Sequence, residues 1–482
     1  MPTENRLTRI SPAPAIGQVH LGPGAFFRAF NAIYSEDAMA AEGGDWGIVA
    51  VSLRSATARD QLEPQAGAYT SVTLGTPRNK CRVIGAVTDV LVAPEDPEAV
   101  IAAMADLAVK IVSLTITEKG YCHAPATGRL QMDHPDIAHD LAHPDGPRSA
   151  IGLIVAALAR RRGQGGKPFT VLSCDNLPSN GALARRVVLD FAAARDADLA
   201  RWIEAQVPFP ATMVDRITPA TTDADVAQLA KDASYYDPAC VVHESFRQWV
   251  IEDDFADGRP VWEAAGAQFV DSVDAHELMK LRCLNGTHST LAYLGYLAGF
   301  ETISDTVADP DFAHLCTAMW RDEITPSVPQ PEGEDLAAYC QSLLARYRDP
   351  AIRHRTWQIA MDGSQKLPQR LLSTIRYNLA AGRVPGGLCL AVAAWMRYVG
   401  GVDENGAPID VRDPLADRLR AASDGAEDAE GKVANLLAID EIFDPELARD
   451  SRFQAAVLQS YKALLEQGAA KTVQAFATAA NP

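Results

Sequence analysis

A chain of 482 residues can bury a large core and divide into two or more domains. Its composition is that of an ordinary globular protein. No run approaches the roughly 18 apolar residues of a membrane span, and Met1 to Ile10 lacks the apolar centre of a signal peptide, so a cytoplasmic protein is expected. A net charge of −18 argues against a nucleic-acid partner, which wants a basic surface for phosphates. The eight cysteines are scattered with no C-x-x-C pair, which suggests neither a disulfide framework nor a zinc ribbon.

Ile16 to Leu21 reads as a short buried strand. Gly22-Pro23-Gly24 follows, and then a run opening Ala25-Phe26 with apolar residues at helical spacing. Strand, glycine turn and helix form the context in which a dinucleotide pyrophosphate rests on a helix N-terminus. Gly22, Gly24, Ala25 and Phe26 are therefore candidate cofactor residues, although Phe27 replaces the third glycine of G-x-G-x-x-G. The alternative is an ordinary glycine turn. The next strand, Gly47 to Leu53, ends on Arg54 where an acid would hold the adenosine ribose. Arg54 can face a 2′-phosphate instead, so NAD(H) and NADP(H) both stay open.

Ala68–Leu74 and Arg82–Val92 look like antiparallel strands inserted into an otherwise alternating strand–helix plan. Asp96-Pro97 is a helix start, a capping residue before a proline, and Ser149–Arg162 is a second crossover helix. Between them, Asp133 to Asp145 carries His134, His139 and His143 among aspartates, a conceivable metal site that would suit a metal-dependent hydrolase or lyase. Its prolines and glycine favour a solvated loop, and no metal is expected. Ile111–Thr117 is a β-branched strand ending in Glu118. Phe169–Ser173 is another, ending in Asp175-Asn176, and the run around Met213 and Val214 ends in Asp215. Ligands of an open parallel sheet bind outside the carboxyl ends of its strands, so these polar residues point to one crevice, although each also suits a turn or cap.

From His276 onward the pattern is helical, with long stretches through Leu336–Arg346, Leu388–Tyr398 and Phe453–Leu465. Asp403–Asp413 and Ser423–Gly431 read as loops. The expected division is a Rossmann-like α/β domain over 1–275 and a mostly α-helical substrate and catalytic domain over 276–482. The segment Glu277 to His288, E-L-M-K-L-R-C-L-N-G-T-H, reads as one helix. At about 100° per residue, Lys280, Asn285 and His288 fall within a fan of roughly 140° that includes Glu277. A lysine among apolar residues is costly unless its charge is matched or its pKa lowered, and a lowered pKa suits a general base. The bland reading is a lysine snorkelling to solvent beside a structural histidine.

Five ordered blocks, T-I-T-E-K-G-Y, S-C-D-N-L-P-S-N-G, V-D-R-I-T-P-A, F-R-Q-W-V-I-E-D-D-F and K-L-R-C-L-N-G-T-H-S, resemble the long-chain polyol (mannitol) dehydrogenase family. R-H-R-T-W-Q-I-A-M-D-G-S-Q-K-L-P-Q-R and W-M-R-Y-V-G-G-V-D resemble its fructuronate reductase (D-mannonate oxidoreductase) branch. The family usually has histidines where this chain has Phe27 and Phe30.

The resemblance implies an NAD(P)-dependent, metal-free oxidoreductase with its active site between the two domains. It acts on a small sugar acid or polyol, as a monomer or small homo-oligomer, without a membrane partner. Lys280 would be the base, Asn176 and Asn285 donors to the alkoxide, His288 a partner of the same oxygen, and Glu277 a proton relay. Glu118 would lie near the cofactor and Asp215 near the substrate. A carboxylate substrate wants a cation, and Arg353, Arg355, Lys366 and Arg370 share one window, with Arg247 elsewhere. The competing reading is a mannitol 2-dehydrogenase or related polyol dehydrogenase, which needs no such cation.

Overall fold

The computed structural model describes residues 5–75, 78–124 and 127–479; residues 1–4 of the stretch read for a signal peptide lie outside them. The chain divides into two compact units, Met1–Asp274 and Ala275–Pro482. The first is built on a five-stranded parallel sheet. Ile16–Leu21 lies at its centre, with Gly47–Ser52 and then Val87–Val92 on one side, and Ile111–Leu114 and then Thr170–Ser173 on the other. Every residue of Gly47–Ser52, Ile111–Leu114 and Thr170–Ser173 is buried, as continuous apolar strands covered on both faces must be. The crossover helices Pro97–Ala105 and Ala150–Gly163 start where Asp96 and Ser149 accept the backbone N–H groups of Ala99 and Gly152, each at 2.9 Å. They bury Ile101, Met104, Ile151 and Leu158 against Val19, Leu21, Val112 and Val171 of the sheet.

Several sequence expectations change here. Arg82–Val92 is two strands. Lys80–Ile84 pairs antiparallel with Tyr69–Thr73, whereas Val87–Val92 crosses to the edge of the parallel sheet, the run being broken at Gly85-Ala86. Thr212–Asp215 belongs to a separate three-stranded sheet with Gln248–Glu252 and Gln268–Val270. The histidine-rich segment contains a helix, Pro135–Ala142, because proline at its first position starts a helix and does not break it. His134 caps that helix through Nδ1, and buried Asp140 accepts from the backbone of Arg148 and from the backbone and hydroxyl of Ser149. Among the described residues no group of three or more His, Cys, Asp or Glu is placed to hold a metal ion.

The second unit is helical. Leu336–Tyr347, Gly386–Val399 and Ser451–Ala479 are its long elements, the last kinked at Gly468, which has φ +80°. Their apolar faces enclose Leu343, Leu390, Trp395, Phe453, Val457 and Tyr461. The acidic stretch 423–431 is not all loop. It spans the turn between helices Ala416–Asp424 and Ala429–Leu437, and Asp428 caps the second by accepting from Gly431 N at 2.7 Å. No helix among the described residues is long and apolar enough to cross a membrane.

Candidate active site

In the first unit the parallel strands deliver their polar followers to one edge. Gly22 has φ +93° and its α-carbon lies against the carbonyl of Thr115, so a side chain has neither the backbone nor the room there. Gly24 is different: a β-carbon on it would meet nothing within 4 Å, which leaves its backbone open to a ligand. The helical run breaks at Phe30 (φ −133°, ψ −83°) into Ala25–Ala29 and Asn31–Glu42. Phe27, in place of the third glycine, stacks on His20 with ring centroids 3.7 Å apart. Burial lowers His20 to about 3, so it is a neutral ring, and it shares hydrogen bonds with the hydroxyls of Ser113 and Thr115 at 2.8 Å. The cradle keeps two glycines and replaces the third by a packed aromatic pair. Phe26 stacks on Phe30 at 4.9 Å, and Arg54 is exposed just beyond its strand.

The loop carrying Asn176 is held by its neighbours. Asp175 accepts from Ile116 N at 3.1 Å, Thr117 N at 2.8 Å and the Tyr121 hydroxyl at 2.8 Å. These bonds fix the turn in which Thr117 (φ +63°) precedes exposed Glu118. Buried Asn180 donates to the carbonyls of Asp175 and Thr212 and accepts from Thr212 N. It thereby ties the Asn176 loop to the strand ending in buried Asp215, although that strand lies outside the five-stranded sheet.

In the second unit the helix expected over Glu277–His288 is interrupted. Asp274–Met279 is α-helical, Lys280–Gly286 forms wide π turns, and Thr287–Leu297 is α-helical again. The loosened ladder is supported by side chains. Trp320 Nε1 and the Thr287 hydroxyl donate to the Cys283 carbonyl at 2.9 and 2.6 Å, and the Tyr347 hydroxyl donates to the Leu284 carbonyl at 2.8 Å. At about 4.4 residues per wide turn, Lys280, Asn285 and His288 span roughly 80° of the surface, less than a continuous α-helix gives. Lys280 and His288 are buried, Asn285 and Glu277 half-buried.

His288 lies among cations. Burial, and then the neighbouring His354, Arg370, Arg346 and Lys366, hold its pKa well below the usual histidine range, so the neutral ring offers a hydrogen bond and no charge. Its centroid is 4.7 Å from that of His354 and 5.4 Å from that of Tyr347. Burial and the charge of Lys366 bring His354 down to about 4. Lys366 is lowered to about 8 by burial and by Arg370, and donates to the carbonyl of Met361 at 2.5 Å. Arg370 Nη1 donates to the Ser289 hydroxyl at 3.1 Å. Among the described residues, neither Lys366 nor Arg370 has a carboxylate within ion-pair distance.

The basic window therefore splits. Lys366 and Arg370 are half-buried near His288, whereas Arg353 and Arg355 are exposed and Arg355 lies 3.7 Å from Glu301. Arg247 is matched by Asp37 at 2.7 Å and covers the Tyr34 ring at 4.3 Å. Sequence reasoning missed His354, Arg346 and Ser289. His354 sits inside the basic window between Arg353 and Arg355, where a count of full charges gives a neutral ring no weight.

The description "Mannitol dehydrogenase Rossmann domain" matches residues 16–264, and "Mannitol dehydrogenase C-terminal domain" matches 272–465. The chain is 47% identical over 464 residues to a D-mannonate oxidoreductase of Escherichia coli, covering 95% of both chains. It is 41% identical to a mannitol 2-dehydrogenase of Phaeosphaeria nodorum, over 96% of this chain and 81% of that one. A solved Pseudomonas fluorescens mannitol 2-dehydrogenase, a ternary complex with NAD and D-mannitol, superposes with a TM-score of 0.83 at 40% identity, over 97% of this chain and 95% of the other.

Proposed function

The chain belongs to the mannitol dehydrogenase family, and we propose that within it this protein is an NAD-dependent oxidoreductase interconverting D-mannonate and D-fructuronate. The observation that carries the choice of a sugar acid is the unmatched pair Lys366 and Arg370. Buried or half-buried cations ordinarily keep a carboxylate partner, because desolvating a charge is expensive. Two of them together without one suit a carboxylate that arrives with the substrate, best taken by a guanidinium.

The Gly22–Gly24 cradle and the edge of the parallel sheet fit NAD(H), which when bound accepts hydride from the substrate carbon. The chain's own residues handle the proton and the oxygen. Lys280 takes the hydroxyl proton as the C–O single bond becomes a carbonyl. Asn176 and Asn285 donate to the developing alkoxide, neutral His288 holds the same oxygen or the sugar chain, and Glu277 returns the Lys280 proton to solvent. Asp215 orients substrate and Glu118 the cofactor side. Arg353 and Arg355, exposed, have no part in this reading.

D-mannonate, D-altronate, mannitol and arabinitol, each followed at the nicotinamide absorbance, test it. A charged hydrogen bond contributes about 1.5–3 kcal/mol, so mannitol is expected to be at least about ten-fold poorer in kcat/KM than mannonate. Equal efficiency would favour the second reading, a polyol 2-dehydrogenase, which the likeness to the NAD and D-mannitol complex supports. The titration of Lys366 adds a pH test. As a cation below about 8, it holds a carboxylate at neutral pH and loses that hold as the pH rises. KM for mannonate is expected to climb above pH 8, that for mannitol to stay level, and Lys366→Arg to remove the inflection. A mannonate KM flat from pH 6 to 10 would exclude Lys366 as the carboxylate partner.

A further inference from the structure

Three hydroxyl residues lie in sequence reach of one another on the helix that follows the wide turn, and all are buried: Thr287, Ser289 and Thr290. Thr287 and Thr290 donate back to the carbonyls four residues earlier, Cys283 at 2.6 Å and Gly286 at 2.9 Å, the usual way for a helix to satisfy a buried hydroxyl. Ser289 makes no such bond among the described residues. Its hydroxyl instead accepts from Arg370 Nη1 at 3.1 Å, and among the described residues this is the one side-chain hydrogen bond of either residue.

The backbone beneath is fitted to the same purpose. A β-carbon on Gly286 would stand 3.0 Å from the Arg370 carbonyl, so the wide turn Lys280–Gly286 packs against a second one, Pro368–Leu372. The wide turn and the helix after it thus set Arg370 twice, by its backbone through Gly286 and by its guanidinium through Ser289. A guanidinium held at one corner keeps its other N–H groups for a ligand and loses less rotamer freedom when the ligand binds.

We propose that Ser289 is a positioning residue that orients Arg370 for the substrate carboxylate, and so sets the preference for sugar acids over polyols. This rests on the proposed sugar-acid reading. The experiment measures kcat/KM for D-mannonate and D-mannitol in the wild-type enzyme, Ser289→Ala, Arg370→Ala and the double variant. Ser289→Ala is expected to raise KM for mannonate by about 5-fold, the size of one net hydrogen bond, with mannitol changed less than about 2-fold. In the Arg370→Ala background, Ser289→Ala is expected to change neither, since its effect passes through Arg370. Equal losses on both substrates, or a loss that persists without Arg370, would show a merely structural serine and overturn the proposal. A preference for mannonate left intact in Ser289→Ala would overturn it and leave the sugar-acid reading standing. A wild-type enzyme with no preference would remove both.

Discussion

Replacing Lys280 by alanine is expected to slow alcohol oxidation by about 10²–10⁴-fold, the usual worth of a positioned general base, with fold and NAD(H) binding nearly unchanged. Lys280 is 9% exposed and opens the wide-turned segment, whose winding puts its position on one face with those of Asn285 and His288. His288 cannot replace it, since burial and surrounding charge hold that ring far below neutral basicity. Alanine is a good helix former, and the turn's freed carbonyls are satisfied by Trp320, Thr287 and Tyr347, all of which the variant keeps. Turnover measured from pH 6 to 10, with and without added primary amines, checks this. Partial rescue by an amine would identify the missing base, and near-wild-type turnover without one would end the assignment.

Asn176→Ala and Asn285→Ala are each expected to lower kcat with little change in ground-state binding, by about 2.7–4 kcal/mol of transition-state stabilisation, as for other donors to a developing oxyanion. An amide donates without a proton that can be lost, so it stays a donor at the pH where the lysine works as a base. Both positions are braced. Asp175 and Asn180 hold the loop before and after Asn176, and Asn285 lies inside the supported turn. Steady-state kinetics for both substrates separates the roles: a change confined to KM would make the amides substrate-positioning groups and refute the alkoxide role.

The Rossmann-like plan was legible because strands buried on both faces are continuous apolar runs and their helices start at Asp96 and Ser149, features local in sequence. The wide turn was not, since periodicity at 100° per residue assumes the ladder whose loosening is the point, and the supporting groups, Trp320 and Tyr347, come from 37 and 63 residues away. The same limit split the basic window. Charge alone grouped Arg353 and Arg355 with Lys366 and Arg370, whereas burial, set by distant packing, separates them. Arg82–Val92 failed differently: both halves have strand character, and which sheet each joins depends on partners outside the run.

The seven residues from Lys280 to Gly286 also make this a place where the chain can absorb a change of length. A wide turn holds one residue more than an α turn, so deleting one here would let the ladder close with the following helix almost in phase: about 690° from Lys280 to His288 with the wide turns, about 700° for one residue fewer in an α-helix. The same deletion within Thr287–Leu297 would turn everything after it by about 100°. What a single-codon deletion at half-buried Leu281 would take away is the loosened ladder itself: the carbonyls of Cys283 and Leu284 would return to the helix, and Trp320 and Tyr347 would lose their acceptors.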